Sequence, residues 1–260
     1  MTIHLRQIAL VADQLEPALI QLTEVLGIRR CYVDEGVAVW GLENTLMPIG
    51  TDFLEVVAPT QPGKATAAGR YLQRRGGDGG YMVITQVDNA NTQDQYRRQA
   101  IEQGVRIAFE RDRDNYHLMQ LHPGDMQASF LEIDSDQHGD FSGYWHPAGG
   151  LGWETFVDRS RVSAIAGAQL QSDDPDALAA HWAAVLGTDV ITIHGDPAVR
   201  LGASFLTFTP ANDGRGAGLG GVYLSVIDRE SLLREAQRHQ AYVNDNQVTL
   251  CGTRFYLYDV

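Results

Sequence analysis

Two glutamates stand inside runs that are otherwise apolar, Glu55 in Phe53-Leu54-Glu55-Val56-Val57 and Glu132 in Phe130-Leu131-Glu132-Ile133. A carboxylate in such company must face water, a partner or a metal ion, because burying it alone is costly. Each therefore marks either a site or the solvent face of an alternating strand, and the residues alone leave both readings open. If the two carboxylates converge, mutual repulsion raises the pKa of one and makes it a usable acid or base.

The chain has eight histidines. His4 is three residues from Gln7, so on a strand the two point to opposite faces. His138, His194 and His239 read as surface or loop residues, and His181 as a helix-surface residue beside Trp182. His117 and His122 are an odd number of residues apart and fall on opposite faces of one strand run; a turn or surface role suits them, with either also able to line a cleft. His146, between Trp145 and Pro147, lies in a long aromatic-containing connector that could fold over a cleft as ligand or lid. Gly76-Gly77-Asp78-Gly79-Gly80 and Gly214 to Gly221 are not phosphate loops, because neither is followed by Lys-Ser or Lys-Thr and each leads into a strand. They read as hinges. With no Gly-x-Ser-x-Gly elbow and no Cys with an assignable base, covalent catalysis is not expected.

The elements that must position these residues come in repeats. Gln7 to Asp13 reads as a strand and runs into Leu15, Leu19, Leu22 and Leu26 at helical spacing, stopped by Gly27; Gly167 to Asp173 runs likewise into Leu178, Trp182, Val185 and Leu186, stopped by Gly187. Strands are then expected at Cys31 to Val33, Val37 to Trp40 and Phe53 to Val57. Pro59, Pro62 and Gly63 break that unit off, and a short helix follows around Ala65 to Gln73. A second unit begins with the strand Tyr81 to Thr85, continues with a helix capped by Asn91 or Thr92 that ends at Gly104, and closes with strands at Val105 to Phe109, His117 to Leu121 and Ser129 to Ile133. Two further units follow, from about Ile165 to Thr209 and from Val222 to Tyr258. Residues 134–152 have connector composition, which puts domains at 1–135 and 161–260 with 136–160 between them.

Composition narrows the function classes. A net charge of −13 with pI near 4.9 argues against nucleic-acid and anionic-membrane surfaces. The two cysteines, Cys31 and Cys251, have no metal spacing and suit a reducing cytoplasm. No run approaches the length of a membrane helix.

Four βαβββ units in two pairs resemble the vicinal oxygen chelate superfamily, which includes glyoxalase I, methylmalonyl-CoA epimerase, extradiol dioxygenases and bleomycin-resistance proteins. The resemblance rests on Ile8-Ala9-Leu10-Val11 to Leu26-Gly27, Phe53-Leu54-Glu55, Val87-Asp88-Asn89, and Leu121-His122-Pro123-Gly124-Asp125 followed by Phe130-Leu131-Glu132. It implies an α+β fold of four βαβββ modules in two paired-module domains, each with curved mixed sheets around a cleft that holds a divalent metal. Glu55 and Glu132 match the family's carboxylate ligands, whereas Gln7 and Met82, or its neighbour Tyr81, stand where histidines are usual. In the second half Gly167, Thr207, Val222 and Leu257 or Tyr258 take the corresponding places.

An oxygen-only set of Gln7, Glu55 and Glu132 suits Mg²⁺, Mn²⁺ or Ca²⁺ better than Zn²⁺ or Fe²⁺, and a site with no metal is the other case. The resemblance implies metal-assisted lyase or isomerase chemistry on a small oxygen-rich molecule, with Glu55 and Glu132 as catalytic groups. The alternative is a metal-free binding protein of the bleomycin-resistance kind, holding a planar ligand against Trp40, Tyr81, Met82, His122, Trp145 and His146. The partners expected are a small-molecule ligand and, as an open arrangement, a second copy in a homodimer. Neither nucleic acid nor membrane is expected.

Overall fold

The computed structural model describes residues 2–61, 66–113 and 115–259. Pro62, Gly63 and Ala65, named above as breaker and helix start, lie outside the described residues. The first of the four expected repeats covers β1 (Ile3–Val11), α1 (Leu15–Leu26), β2 (Leu42–Ile49) and β3 (Asp52–Pro59), followed by α2 (Ala67–Arg75). The second is β4 (Gly79–Val87), α3 (Ala90–Glu102), β5 (Ile107–Arg113), β6 (Tyr116–Leu121), a single turn α4 (Pro123–Met126) and β7 (Phe130–Asp136). The third is β8 (Val162–Ser172), α5 (Pro175–Leu186), β9 (Ile191–Ile193), β10 (Asp196–Leu201) and β11 (Ser204–Pro210). The fourth is β12 (Gly218–Val226), α6 (Arg229–Arg238), β13 (Tyr242–Asn244), β14 (Gln247–Leu250) and β15 (Thr253–Asp259). This is the expected mixed α+β fold. The strands form two open mixed sheets, in the orders β2-β3-β1-β4-β7-β6-β5 and β13-β14-β15-β12-β8-β11-β10-β9.

The first repeat departs from expectation twice: Cys31 to Val33 is not a strand, since Tyr32 makes only an isolated bridge to Leu46, and the next run also differs. Val37 to Trp40 belongs to a 3₁₀ helix over Glu35–Trp40, not to a strand. The Asp34 carboxylate accepts the Gly36 N–H at its start and Gly41 closes it in the left-handed region, so the apolar alternation follows a turn, with Val39 and Trp40 exposed. The missing strand is β2, which polar Glu43-Asn44-Thr45 and Pro48 hid from a pattern search. It pairs antiparallel with β3 across the turn at Gly50. In the second repeat the helix cap is Asn89, whose side chain accepts the Thr92 N–H, and not Asn91 or Thr92.

Two compact units divide the chain. One holds Met1–Gln7, Tyr81–Tyr144 and Gly167–Leu219. In it β4 pairs parallel with β7, β7 antiparallel with β6, and β11 parallel with β8. Its helices meet where Gln99 Nε2 donates to the Ala184 carbonyl at 2.8 Å, and Trp182, fully buried, donates to the Met126 carbonyl at 3.0 Å.

The other unit holds Ile8–Gly80, Trp145–Ala166 and Gly220–Val260. There α1 contributes the buried stripe Leu19, Leu22, Val25 and Leu26, as its periodicity requires. Trp145 and Trp153 are buried against Phe53, so part of the expected connector is core. Gly50 has φ +67° and a Cβ there would meet the Ser163 carbonyl oxygen at 2.4 Å. Gly50→Ala therefore combines left-handed strain with a backbone clash and is expected to cost about 1–3 kcal/mol, read as a lower urea midpoint with unchanged m-value.

Candidate functional site

The strand β7 carries the densest row of candidate chemical groups. Residues 130, 132, 134 and 136 share one face by the two-residue period of a strand, while Ser135, on the opposite face, meets Gln93 of α3. The first face thus bears Glu132, Asp134 and Asp136, and these are 4%, 0% and 6% exposed. Three acids buried in a row need partners, and the flanking strands supply them. Gln120 of β6 donates to Glu132 Oε2 at 2.6 Å, Tyr116 of β6 donates to Asp134 Oδ2 at 2.7 Å, and Gln86 of β4 donates to Asp136 Oδ2 at 3.1 Å. The registers place them, since Gln120 pairs with Glu132 and Gln86 with Asp134.

Asp134 and Glu132 interact directly. Burial pushes the Asp134 carboxyl well above the usual carboxylate range, and the Glu132 charge beside it adds to the rise, together with a hydrogen bond between the two side chains. Asp134 Oδ1 is buried with no protein donor turned to it. With burial favouring its protonated form, Asp134 makes with Glu132 a candidate dyad for one shared proton. Sequence reading found Glu132 but assigned Asp134 and Asp136 to the connector, and passed over Tyr116, Gln86 and Gln120. The continued alternation Glu132-x-Asp134-x-Asp136 was the available signal.

Gln7, in the same unit, is buried on β1. Tyr81 and Met82 are buried on β4, and the Tyr81 ring stands edge-on to Phe130 with centroids 5.3 Å apart. His122 is half exposed at the start of α4, between Arg106 and Asp125. The Arg106 guanidinium holds Asp125 well below the usual carboxylate range, so this is a surface ion cluster. His181 is half-buried and its Nε2 lies 2.9 Å from the Asp125 carbonyl, a tertiary contact and not a plain surface position.

In the other unit Glu55 is 6% exposed and accepts from Asn44 Nδ2 at 2.6 Å. The Asp34 N–H donates to Asn44 Oδ1 at 2.9 Å, which fixes the amide so that its NH₂ must face the carboxylate. Trp40 is 39% exposed, Trp145 is fully buried, and His146 sits half-buried in a short 3₁₀ turn over His146–Ala148. A concavity of about 470 Å³ in this unit is lined by Pro17, Ala18, Ile20, Gln21, Asp78, His239 and Cys251 and includes none of the expected residues. Asp78 already accepts the Asp13 N–H and His239 is held by Glu24, so the buried acid row of β7 is the stronger chemical candidate.

Among the described residues no group of three or more His, Cys, Asp or Glu side chains is arranged to hold a metal ion. With glutamine and methionine at the histidine positions and the glutamates hydrogen-bonded to amides, the donors do not fit a tightly held transition metal. Protein purified without a histidine tag is expected to carry zinc and iron far below one equivalent. Elemental analysis checks this, and a stoichiometric reading of either would overturn the donor assignment.

Among the described residues no helix is long and apolar enough to cross a membrane. No curated protein matches the sequence. A hypothetical protein from Staphylococcus aureus matches in structure with TM-score 0.65 at 11% identity over 100% of both chains. Methylmalonyl-CoA epimerase from Mycobacterium tuberculosis matches with TM-score 0.43 at 19% identity, over 51% of this chain and 87% of that one. The family model described as a glyoxalase-like domain matches residues 8–186, and the chain belongs to that family.

Proposed function

We propose that the chain is a glyoxalase-like isomerase or lyase that moves a proton on a small oxygen-rich molecule, with Glu132 as the acid/base group. The supporting observation is the dyad: Glu132 is buried, fixed by Gln120, and hydrogen-bonded to Asp134, a carboxyl that itself favours the protonated state. Beside a carboxyl that keeps its own proton, Glu132 is the member of the pair left to accept one. It can take a proton from a carbon activated by an adjacent carbonyl and return it to another face or atom. Asp134 and Tyr116 position and polarise Glu132 in this account, and Gln120 keeps the carboxylate plane fixed. Glu55, oriented by Asn44, is the second acid/base candidate.

The second reading is a binding protein that sequesters its ligand. The absence of imidazole at the Gln7 and Met82 positions favours it. A panel of 2-oxo acids, 2-hydroxy acids and 1,2-dicarbonyls, followed by NMR for conversion, separates the two. Conversion by the intact chain that disappears in Glu132→Gln supports the enzyme, whereas saturable binding without conversion supports the binder. Conversion untouched by that substitution would remove Glu132 from the reaction.

A further inference from the structure

We propose that the concavity between α1 and the fourth repeat is a second small-molecule site, one that takes an uncharged molecule with a compact aliphatic body. Its volume of about 470 Å³ falls within the roughly 300–1,000 Å³ of small-ligand sites. None of its lining residues belongs to β3 or β7, the strands of Glu55 and Glu132. Its walls come from α1, from Asp78 just before β4, from His239 just after α6 and from Cys251 in the turn between β14 and β15.

Three contacts brace the first repeat against the fourth around this space. The Cys251 N–H donates to Gln21 Oε1 at 2.9 Å, the Cys251 thiol donates to the Val11 carbonyl at 3.7 Å, and His239 Nε2 lies 2.8 Å from Glu24 Oε2. Leu250 pairs with Thr253, so Cys251 and Gly252 form a two-residue hairpin turn, with φ of +46° and +61°. A left-handed backbone at a cysteine costs free energy and persists only where the surroundings fix it, which the Gln21 and Val11 contacts do. The space is therefore preformed, and filling it carries little ordering cost.

The lining selects the occupant. Its polar side chains are already engaged within the protein: Gln21, His239 and Cys251 in the braces, and Asp78 by the Asp13 N–H at 2.8 Å. What stays open is apolar, since Ala18 is buried while Pro17 is exposed and Ile20 is 41% exposed. An occupant that covers Pro17 and Ile20 takes apolar surface out of water. Among the described residues no Lys or Arg lines the space, so an anion there meets the Asp78 charge without a counter-charge. A cation would have to draw Asp78 or Glu24 from the partner each already holds, and either charge loses hydration on entry. An uncharged molecule meets neither cost.

The test titrates the intact chain, isotope-labelled for amide NMR, with cyclohexanol, and uses cyclohexanecarboxylate and cyclohexylammonium as charge controls. Cyclohexanol should bind saturably with amide shifts centred on Ala18, Gln21, His239 and Cys251, and both controls should bind roughly tenfold or more weakly. Ile20 is exposed, so replacing it should leave the circular dichroism spectrum unchanged. Ile20→Ala removes part of the apolar wall and should weaken cyclohexanol about threefold or more, and Ile20→Glu, which sets a charge in that wall, should abolish saturation. Glu132→Gln should leave binding unchanged. Absence of saturable binding, equal binding of either charged control, or indifference to both Ile20 substitutions would overturn the proposal. Shifts centred on Phe130–Asp136, or loss of binding in Glu132→Gln, would also overturn it by placing the molecule at the acid row.

Discussion

Glu132→Gln is expected to reduce the rate constant for turnover by about 10²- to 10⁴-fold, the range supplied by a positioned general acid/base, with a much smaller change in KM. The substitution is nearly isosteric. It keeps an acceptor for the Gln120 amide and a polar neighbour for Asp134, so circular dichroism and Tm should stay close to those of the unmodified chain. Glu132→Asp retains the acid but withdraws it by one methylene from a network fixed at hydrogen-bond distances, and should fall between the two. Thr207→Ala, at a fully buried third-repeat position outside the acid row, should leave ligand binding intact. Equal losses at Thr207 and Glu132 would show that the reacting surface had been misplaced.

The second large effect is on stability. Asp134→Asn should raise Tm by a few degrees at pH 8 and flatten the pH dependence of unfolding. The folded-state pKa of Asp134 is raised, so the folded chain binds more protons than the unfolded one above the unfolded carboxyl pKa. The contribution of this group to stability is greatest below that unfolded value and is lost as pH rises through the raised folded value. An amide does not titrate. It can still accept from the Tyr116 hydroxyl, and its NH₂ can give Glu132 the hydrogen bond that the shared proton otherwise supplies. The gain over the parent should therefore shrink as pH falls toward 4, and turnover should drop even as stability rises, as expected where a strained polar site serves function. Parallel Tm–pH curves for parent and variant would contradict the shared-proton dyad.

How much of this was legible in the sequence depended on how local each signal was. The helices α1 and α5, with their apolar spacing and terminal Gly27 and Gly187, were readable because period and stop residues lie within one short stretch. The strand β2 was not. Its polar start and Pro48 look like a loop until its antiparallel register with β3 is known, and the apolar 3₁₀ turn at Glu35–Trp40 looks like the strand it displaces. Glu132 was recognisable as a carboxylate among apolar residues, whereas its partners come from β4 and β6, far away in sequence, and only strand pairing reveals them. Asp134 and Asp136 were misread because acidic residues at a strand end resemble a solvated connector, yet both are buried.

Solvent deuterium incorporation tests proton transfer most directly. Any ligand found to bind is incubated with the intact chain in D₂O, and the carbon-bound hydrogens next to its carbonyl are followed by NMR. Enzyme-dependent exchange that Glu132→Gln abolishes, with ligand binding retained, is the predicted result. Exchange that survives Glu132→Gln, or a tightly bound ligand with an acidic C–H that never exchanges, would contradict the account.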